Sequence, residues 1–256
     1  MAPRNMLARK GPWVLVAAVG LYIACNVVLD IRFTAQRRIL EKERNVTERI
    51  DAGQLTTVSI DMPNVSDERS IDIQYHDQAY AIAGYDKVTM QLQMRAEGRT
   101  LHITLGVANG SRYGGRDGFK LVLPTTIKTL ILKNKVQGQV AKNSQNMTHK
   151  LTELSIVLDD CDSRATVAEI DVEALRLSRA CRQIGDLRYR SVMFAIDGAQ
   201  VKKLDAFMRY GALTVTPQSL VETLSLDVTD DVLISAPANV LRKAQWAKVP
   251  VGVKVP

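Results

Sequence analysis

The chain has 256 residues, 46% of them apolar and only 5% aromatic, with a formal net charge of +7. That length holds one or two domains with a buried core, and the low aromatic share fits stacked aliphatic side chains better than an aromatic-rich sandwich core. The basic residues are spread along the whole chain with no RNP-like, zinc-finger or helix-turn-helix signature, so the charge points to anionic surfaces in general and excludes a recognisable nucleic-acid module.

Residues 1–11 form a short basic tail carrying Arg4, Arg9 and Lys10. From Pro12 to Leu29 the chain reads PWVLVAAVGLYIACNVVL, with no charged side chain and no polar face. At about 1.5 Å per helical residue this stretch spans roughly 27 Å, enough for a bilayer core. We therefore expect a transmembrane signal anchor over 12–30, with Trp13 as interfacial anchor and Leu15, Leu21, Ile23 and Val27 in the apolar body. A second membrane reading stays open: YIAC, Tyr22 to Cys25, resembles a bacterial lipoprotein cleavage site, with Cys25 as the lipidated residue. Arg32, Arg37, Arg38, Lys42 and Arg44 follow the segment closely. A plain count of basic residues places the large domain in the cytoplasm. A short basic leader before an apolar core is how export signals begin, and large domains translocate despite their charges. The expectation is a single-pass protein of the bacterial inner membrane with its C-terminal domain in the periplasm or outside; a domain facing the cytoplasm is the alternative.

Residues 31–53 read as a juxtamembrane helical stalk. Glu41, Lys42, Glu43 and Arg44 give mixed charge, Ile39, Leu40 and Val46 form a thin apolar stripe, and Gly53 ends it. Alternation with period two then begins in TTVSIDM, SIDIQY and VTMQLQM, which puts one set of side chains inside and the other in water. RAEGR, Arg95 to Arg99, predicts a turn with Gly98 in the loop of a hairpin, and TLHITLGV is the returning strand. NGSRYGGRDG, Asn109 to Gly118, predicts a loop. Pro124 follows FKLVL, where it ends a ladder instead of breaking one.

The second half carries a repeat. Leu130, Leu154, Leu175, Leu204 and Leu224 sit in the alternations TLIL, ELSI, ALRL, KLDAF and TLSL, at separations of roughly 20 to 29 residues. A second apolar beat follows about nine residues on: Ile184, then Leu213 with Val215, then Val232, Leu233 and Ile234. One such unit cannot bury its own apolar face, whereas stacked neighbours bury a continuous column. The fold expected is all-β, a β-solenoid or β-helix-like domain over 54–245, with a β-sandwich as the alternative. The gap from Leu175 to Leu204 is long for one turn, which assigns DLRYRSVMFAIDGAQ to a projecting loop. Gly138, Gly185, Gly198 and Gly211 mark corners. The C-terminal stretch NVLRKAQWAKVPVGVKVP, with its tail over 246–256, is basic and covers the open end of the stack against edge pairing.

The run VTMQLQM, turn, TLHITL, loop, FKLVLPTTIKTLILKNKVQGQV resembles the head-GIN domains of adhesin-like bacterial proteins: a hairpin, a strand ending in LP, then repeats of the type L-x-L. The similarity covers roughly residues 55 to 240, and the Ser-Gly corners of that family are mostly absent. The resemblance implies a β-solenoid on the cell envelope and no catalytic residues.

The three cysteines, Cys25, Cys161 and Cys181, form no C-x-x-C pair, which argues against zinc. Cys161 and Cys181 follow Leu154 and Leu175 at similar distances, so stacking places them on adjacent turns, about 4.8 Å apart and near disulfide geometry; two buried thiols are the alternative. LDDCD, Leu158 to Asp162, clusters carboxylates that suit Ca²⁺ binding, acid–base glycoside cleavage or a polar corner. TDD, Thr229 to Asp231, reads as a turn. His76, His102 and His149 are dispersed, and no G-x-S-x-G, G-x-G-x-x-G or P-loop occurs. Arg176, Arg179, Arg182, Arg188 and Arg190 fall within fifteen residues together with Tyr189, and Arg209 and Tyr210 belong to a neighbouring turn. Arginine forks match carboxylates and phosphates, so this set is the candidate site for an anionic ligand, against the plainer reading of a solvated basic face. The function expected is a membrane-anchored, non-catalytic envelope protein, without a cofactor, that binds a partner protein or an anionic glycan. The alternative is a β-helical polysaccharide-acting enzyme using Asp159, Asp160 or Asp162.

Overall fold

Period-two alternation governs the chain from Asn45 onward. The computed structural model describes residues 22, 26–32, 34, 45–63, 69–78, 80–86, 90–107, 119–142, 150–179 and 192–247. Internal contacts divide the chain into two units, Met1–Asn45 and Val46–Pro256. In the first, Tyr22, residues 26–32 and Thr34 are helical and exposed, and the Asn26 amide donates to the Tyr22 carbonyl one turn back at 2.8 Å. Val27, Val28, Leu29 and Ile31 present large apolar side chains on this exposed helix. Among the described residues no helix is long and apolar enough to cross a membrane. Of the expected anchor, Trp13, Leu15, Leu21, Ile23 and Cys25 lie outside the described residues.

Among the described residues from Asn45 onward the chain is all-β apart from one short helix. Its first strands are β1 (Asn45–Asp51), β2 (Thr57–Asp61), β3 (Arg69–His76), β4 (Tyr80–Asp86), β5 (Met90–Glu97), β6 (Thr100–Val107) and β7 (Phe119–Pro124). They are followed by β8 (Thr129–Lys133), β9 (Val136–Lys142), β10 (Leu151–Leu158), β11 (Arg164–Ala168), β12 (Asp171–Arg179) and β13 (Val192–Asp197). The last are β14 (Gln200–Met208), β15 (Gly211–Val215), β16 (Leu220–Val228), β17 (Val232–Ser235) and β18 (Ala244–Trp246). They form two nine-stranded sheets. The first runs β1-β4-β7-β3-β9-β11-β13-β15-β17, the second β18-β16-β14-β12-β10-β8-β2-β6-β5. From β8 onward the chain changes sheet at every corner, and each strand pairs in parallel with the strand two places on. The antiparallel pairs β4–β7 and β5–β6 lie toward the other end.

The core is built in register files between the sheets. Leu154, Leu175, Leu204 and Leu224 lie side by side, each fully buried. Leu130 belongs to the next file, over Ile156, Leu177, Ala206 and Leu226. On the facing sheet Ile71, Gly138, Ala165, Phe194 and Leu213 align. Each fully buried aliphatic side chain contributes about 1.5–3 kcal/mol of transfer free energy, and parallel registry repeats that gain at every rung.

Several expectations are corrected. Asn45–Asp51, assigned to the helical stalk, is strand β1: Val46, Glu48 and Ile50 are half-buried while Thr47, Arg49 and Asp51 are exposed, which is a period of two. VMFAID, assigned to a projecting loop, is strand β13 with Phe194 and Ile196 fully buried; the surplus residues of that gap fall at 180–191, outside the described residues. Gly138 is no corner. It sits inside β9, where a Cβ would come within 2.8 Å of Leu132 Cδ1. Corners do form at Gly198 (φ +62°) and at Gly211 (φ +100°), and also at Asn134, Lys135 and Glu169, which carry the same left-handed backbone without glycine. The hairpin is as expected: Gly98, at φ +59°, takes the first loop position between Glu97 and Thr100, as a type II′ turn requires. Near the C-terminus the helix Ala238–Leu241 seats Val240 in the core beside β16. Residues 248–256 lie outside the described residues.

Candidate functional site

The strands that bury the leucine files turn their alternate residues outward. On the second sheet one outward row runs Ser155, Arg176, Asp205, Ser225, Gln245. Beside it runs Val157, Ser178, Phe207, Asp227. All of these but Val157, together with Trp246 and Ala247, line an open trough of about 620 Å³. Phe207 stands 37% exposed in its floor, with the Arg209 guanidinium stacked 3.9 Å from its ring centre.

The charges along this face are matched. Arg176 lies between Glu153 (3.3 Å) and Asp205 (3.9 Å), and Lys203 reaches Asp205 at 3.0 Å. Arg209 donates to Asp227 Oδ1 at 2.8 Å and to its carbonyl. Lys202 and Glu173 pair at 2.7 Å, a contact that lowers the Glu173 pKa and raises that of Lys202.

Of the expected anion-binding set, the structure therefore leaves Arg176 and Arg209 on the surface, each paired with carboxylates. Arg182, Arg188, Tyr189 and Arg190 lie outside the described residues. Arg179 and Tyr210 are buried, which removes them from any solvated face. The reason is parity. In ALRLSR, Arg179 shares its side of the strand with Leu175 and Leu177, and its register neighbours are Leu158 and Met208. Its Nη1 donates to the Tyr210 carbonyl at 2.8 Å and its Nη2 to the Cys161 carbonyl, and the guanidinium lies 5.4 Å from the Tyr210 ring centre. Gly211 makes the room: a Cβ there would meet Arg179 Nη1 at 2.6 Å. Burial lowers the Arg179 pKa, and the Asp160 carboxylate, with smaller help from Tyr210 and Asp162, opposes that shift.

In LDDCD, Asp159 and Asp160 are held by different partners. Asp159 reaches Lys133 on the next rung at 2.8 Å. Asp160 accepts from the backbone N–H of Asp162 and of Ser163 and from the Ser163 hydroxyl, and Ser163 Oγ in turn accepts from Val136 N at 3.1 Å. Asp162 is exposed. Among the described residues no group of His, Cys, Asp and Glu forms a metal cage. The polar corner is the reading this geometry favours. Thr229–Asp231 is likewise a turn, with Thr229 Oγ1 donating to the Arg209 carbonyl at 2.7 Å.

Cys161 is disulfide-bonded, while Cys181 lies outside the described residues. His102 is exposed on β6, His76 is buried with Nδ1 accepting from Gln78 N at 3.0 Å, and His149 lies outside the described residues. Sequence reasoning missed Ser178, Phe207, Ser225, Gln245 and Trp246. The signal was present at the positions alternate to the leucine beat, which were read only for what they were not.

No family model and no curated protein matches the chain. Among solved structures, a candidate lipid-binding protein from Parabacteroides distasonis is similar with TM-score 0.43 and 14% identity, over 79% of this chain and 76% of that one. A candidate adhesin from Parabacteroides merdae is similar with TM-score 0.46 and 14% identity, over 79% and 75%. A candidate adhesin from Bacteroides fragilis is similar with TM-score 0.39 and 9% identity, over 81% and 95%.

Proposed function

We propose that this chain is a non-catalytic, adhesin-like envelope scaffold: a β-solenoid, tethered to a bacterial inner membrane through residues 12–30, that presents its second sheet to a partner protein or a glycan. The stacking of like residues in register across successive rungs supports the solenoid. The observation that carries the non-catalytic reading is the engagement of the reactive side chains. Asp159, Asp160, Arg179 and Arg209 each bind a neighbouring rung or corner, while the trough presents hydroxyls, an amide, an aromatic ring and paired charges. A glycosidase acid and base must flank one scissile bond with their carboxyl groups open to it, whereas Asp159 is held by Lys133 and Asp160 by the Ser163 corner.

The disulfide of Cys161 belongs, in this reading, to Cys181. Leu158 pairs with Arg179, so the two cysteines follow paired positions by three and two residues, and an oxidising compartment keeps such a bond formed. Non-reducing peptide mapping tests it; a Cys161 peptide linked to any cysteine but Cys181 overturns it.

The functional test incubates the purified chain with neutral and acidic polysaccharides and follows reducing ends and retention together. Retention without new reducing ends is expected. Turnover that Asp160→Asn or Asp162→Asn abolishes would replace this reading with glycoside cleavage. Alkaline extraction of membranes from cells expressing the full chain tests the tether, which requires the protein to stay in the pellet.

A further inference from the structure

We propose that the trough on the second sheet takes an uncharged, hydroxyl-rich polysaccharide laid across its rungs. The inference rests on the scaffold reading above and selects the ligand of that same site.

Charge comes first. A polyanion needs unmatched cations, and the described cations of this face are matched: Arg176 with Glu153 and Asp205, Lys203 with Asp205, Arg209 with Asp227. An acidic chain laid here would meet Asp205 and Asp227 as closely as it met the arginines. A neutral chain pays no such repulsion and leaves each ion pair in place.

Hydrogen-bonding capacity comes second. Ser155, Ser178, Ser225 and Gln245 line the trough with short, neutral groups that both donate and accept. Sugar hydroxyls have the same dual character. Peptide recognition by strand addition needs an open edge, and this surface is a sheet face. The backbone groups of β10, β12, β14 and β16 already bond to the neighbouring strands.

The aromatic group comes third. Phe207 stands outward between Ser178 and Asp227 in its row; the Arg209 guanidinium stacks on the ring, and its exposed remainder offers apolar surface against which the C–H face of a sugar ring packs while its hydroxyls reach Ser178 and Asp227. Trp246 and Ala247 line the same trough at the last rung. Side-chain positions recur once per rung, about 4.8 Å apart, so a ligand with its own short repeat meets like positions in succession.

The test uses the full chain in detergent, with electrophoretic retardation in gels containing dextran, laminarin or mannan as neutral probes and polygalacturonate or heparin as acidic ones. At least one neutral polysaccharide is expected to retard the protein, and about 1 M salt leaves that retardation intact because no ion pair with the ligand is screened. Phe207→Ala is expected to weaken it about tenfold or more. Ser178→Arg, which fills the trough floor, is expected to abolish it. Both positions are on the outer face, and unchanged melting curves show that the variants fold. Three outcomes overturn the proposal: retardation by acidic polymers alone with loss in salt, neutral binding that both variants leave untouched, and no glycan binding at all. The first two outcomes leave the scaffold reading standing, the third leaves it a partner protein as its ligand and removes the glycan, and cleavage of any probe overturns the scaffold reading itself.

Discussion

Tyr75 is fully buried, and its hydroxyl has no hydrogen-bond partner among the described residues. Burial alone raises its pKa far above the ordinary tyrosine value. The native state then keeps the phenolic proton where the unfolded chain loses it. Stability is therefore complete below pH about 10 and falls as pH rises beyond it. Tyr75→Phe removes an unsatisfied polar atom at little change in shape. It should leave stability at pH 7 unchanged or raise it by about 1 kcal/mol, and it should flatten the alkaline loss, both read by urea denaturation across pH. Arg179 is the opposite case, because its guanidinium holds the carbonyls of Tyr210 and Cys161. Arg179→Ala leaves those carbonyls unpaired beside a cavity and should cost about 3–5 kcal/mol. Arg179→Met continues the Leu158 and Met208 file and should cost clearly less; equal losses for the two variants would show that the charge, and not the volume, matters at this position.

Elements here are short, and their ends are held by side chains. The turn from β10 to β11 rests on Asp160, which accepts from two backbone N–H groups and from the Ser163 hydroxyl. The turn from β15 to β16 is held in the same manner: Thr216 Oγ1 donates to Asp197 at 2.9 Å and Ser219 Oγ to the Ile196 carbonyl at 3.0 Å, each reaching back to the rung before. Asp160→Ala should cost about 1–2 kcal/mol, as loss of a helix cap does. Thermal unfolding measures it. Polysaccharide retention by the second sheet should be unchanged, since Asp160 lies outside the trough.

At the scale of the two sheets, each core side chain leans on its register neighbours in the adjoining strands. Leu204 has a leucine on either side, Leu175 and Leu224, whereas Leu224 has Leu204 on one side and Ala244 on the other. Leu204→Ala should cost about 3–5 kcal/mol and Leu224→Ala about 2–3 kcal/mol, as read from urea midpoints. Equal costs would mean that the last rung is held as firmly as the middle of the stack.

The sequence by itself determined the strand class, the hairpin at Gly98 and the leucine file, because period-two alternation and turn residues act over a few neighbours and need no distant partner. Parity was legible too: ALRLSR already assigns Arg176 outward and Arg179 inward, although a cluster of arginines invites a single surface. Strand β4 was hidden because its inward residues, Ala81 and Ala83, are too small to mark an apolar beat. Strand β1 was hidden because its charges mimic an exposed helix. Only the tertiary structure decided which rungs adjoin, with β2 and β3 stacking between β6–β7 and β8–β9 out of chain order. It alone matched Arg176 and Arg209 with carboxylates from neighbouring strands and set Phe207 beside Ser178. Those contacts depend on registry between strands roughly 20 to 29 residues apart along the chain, and no local pattern encodes that registry.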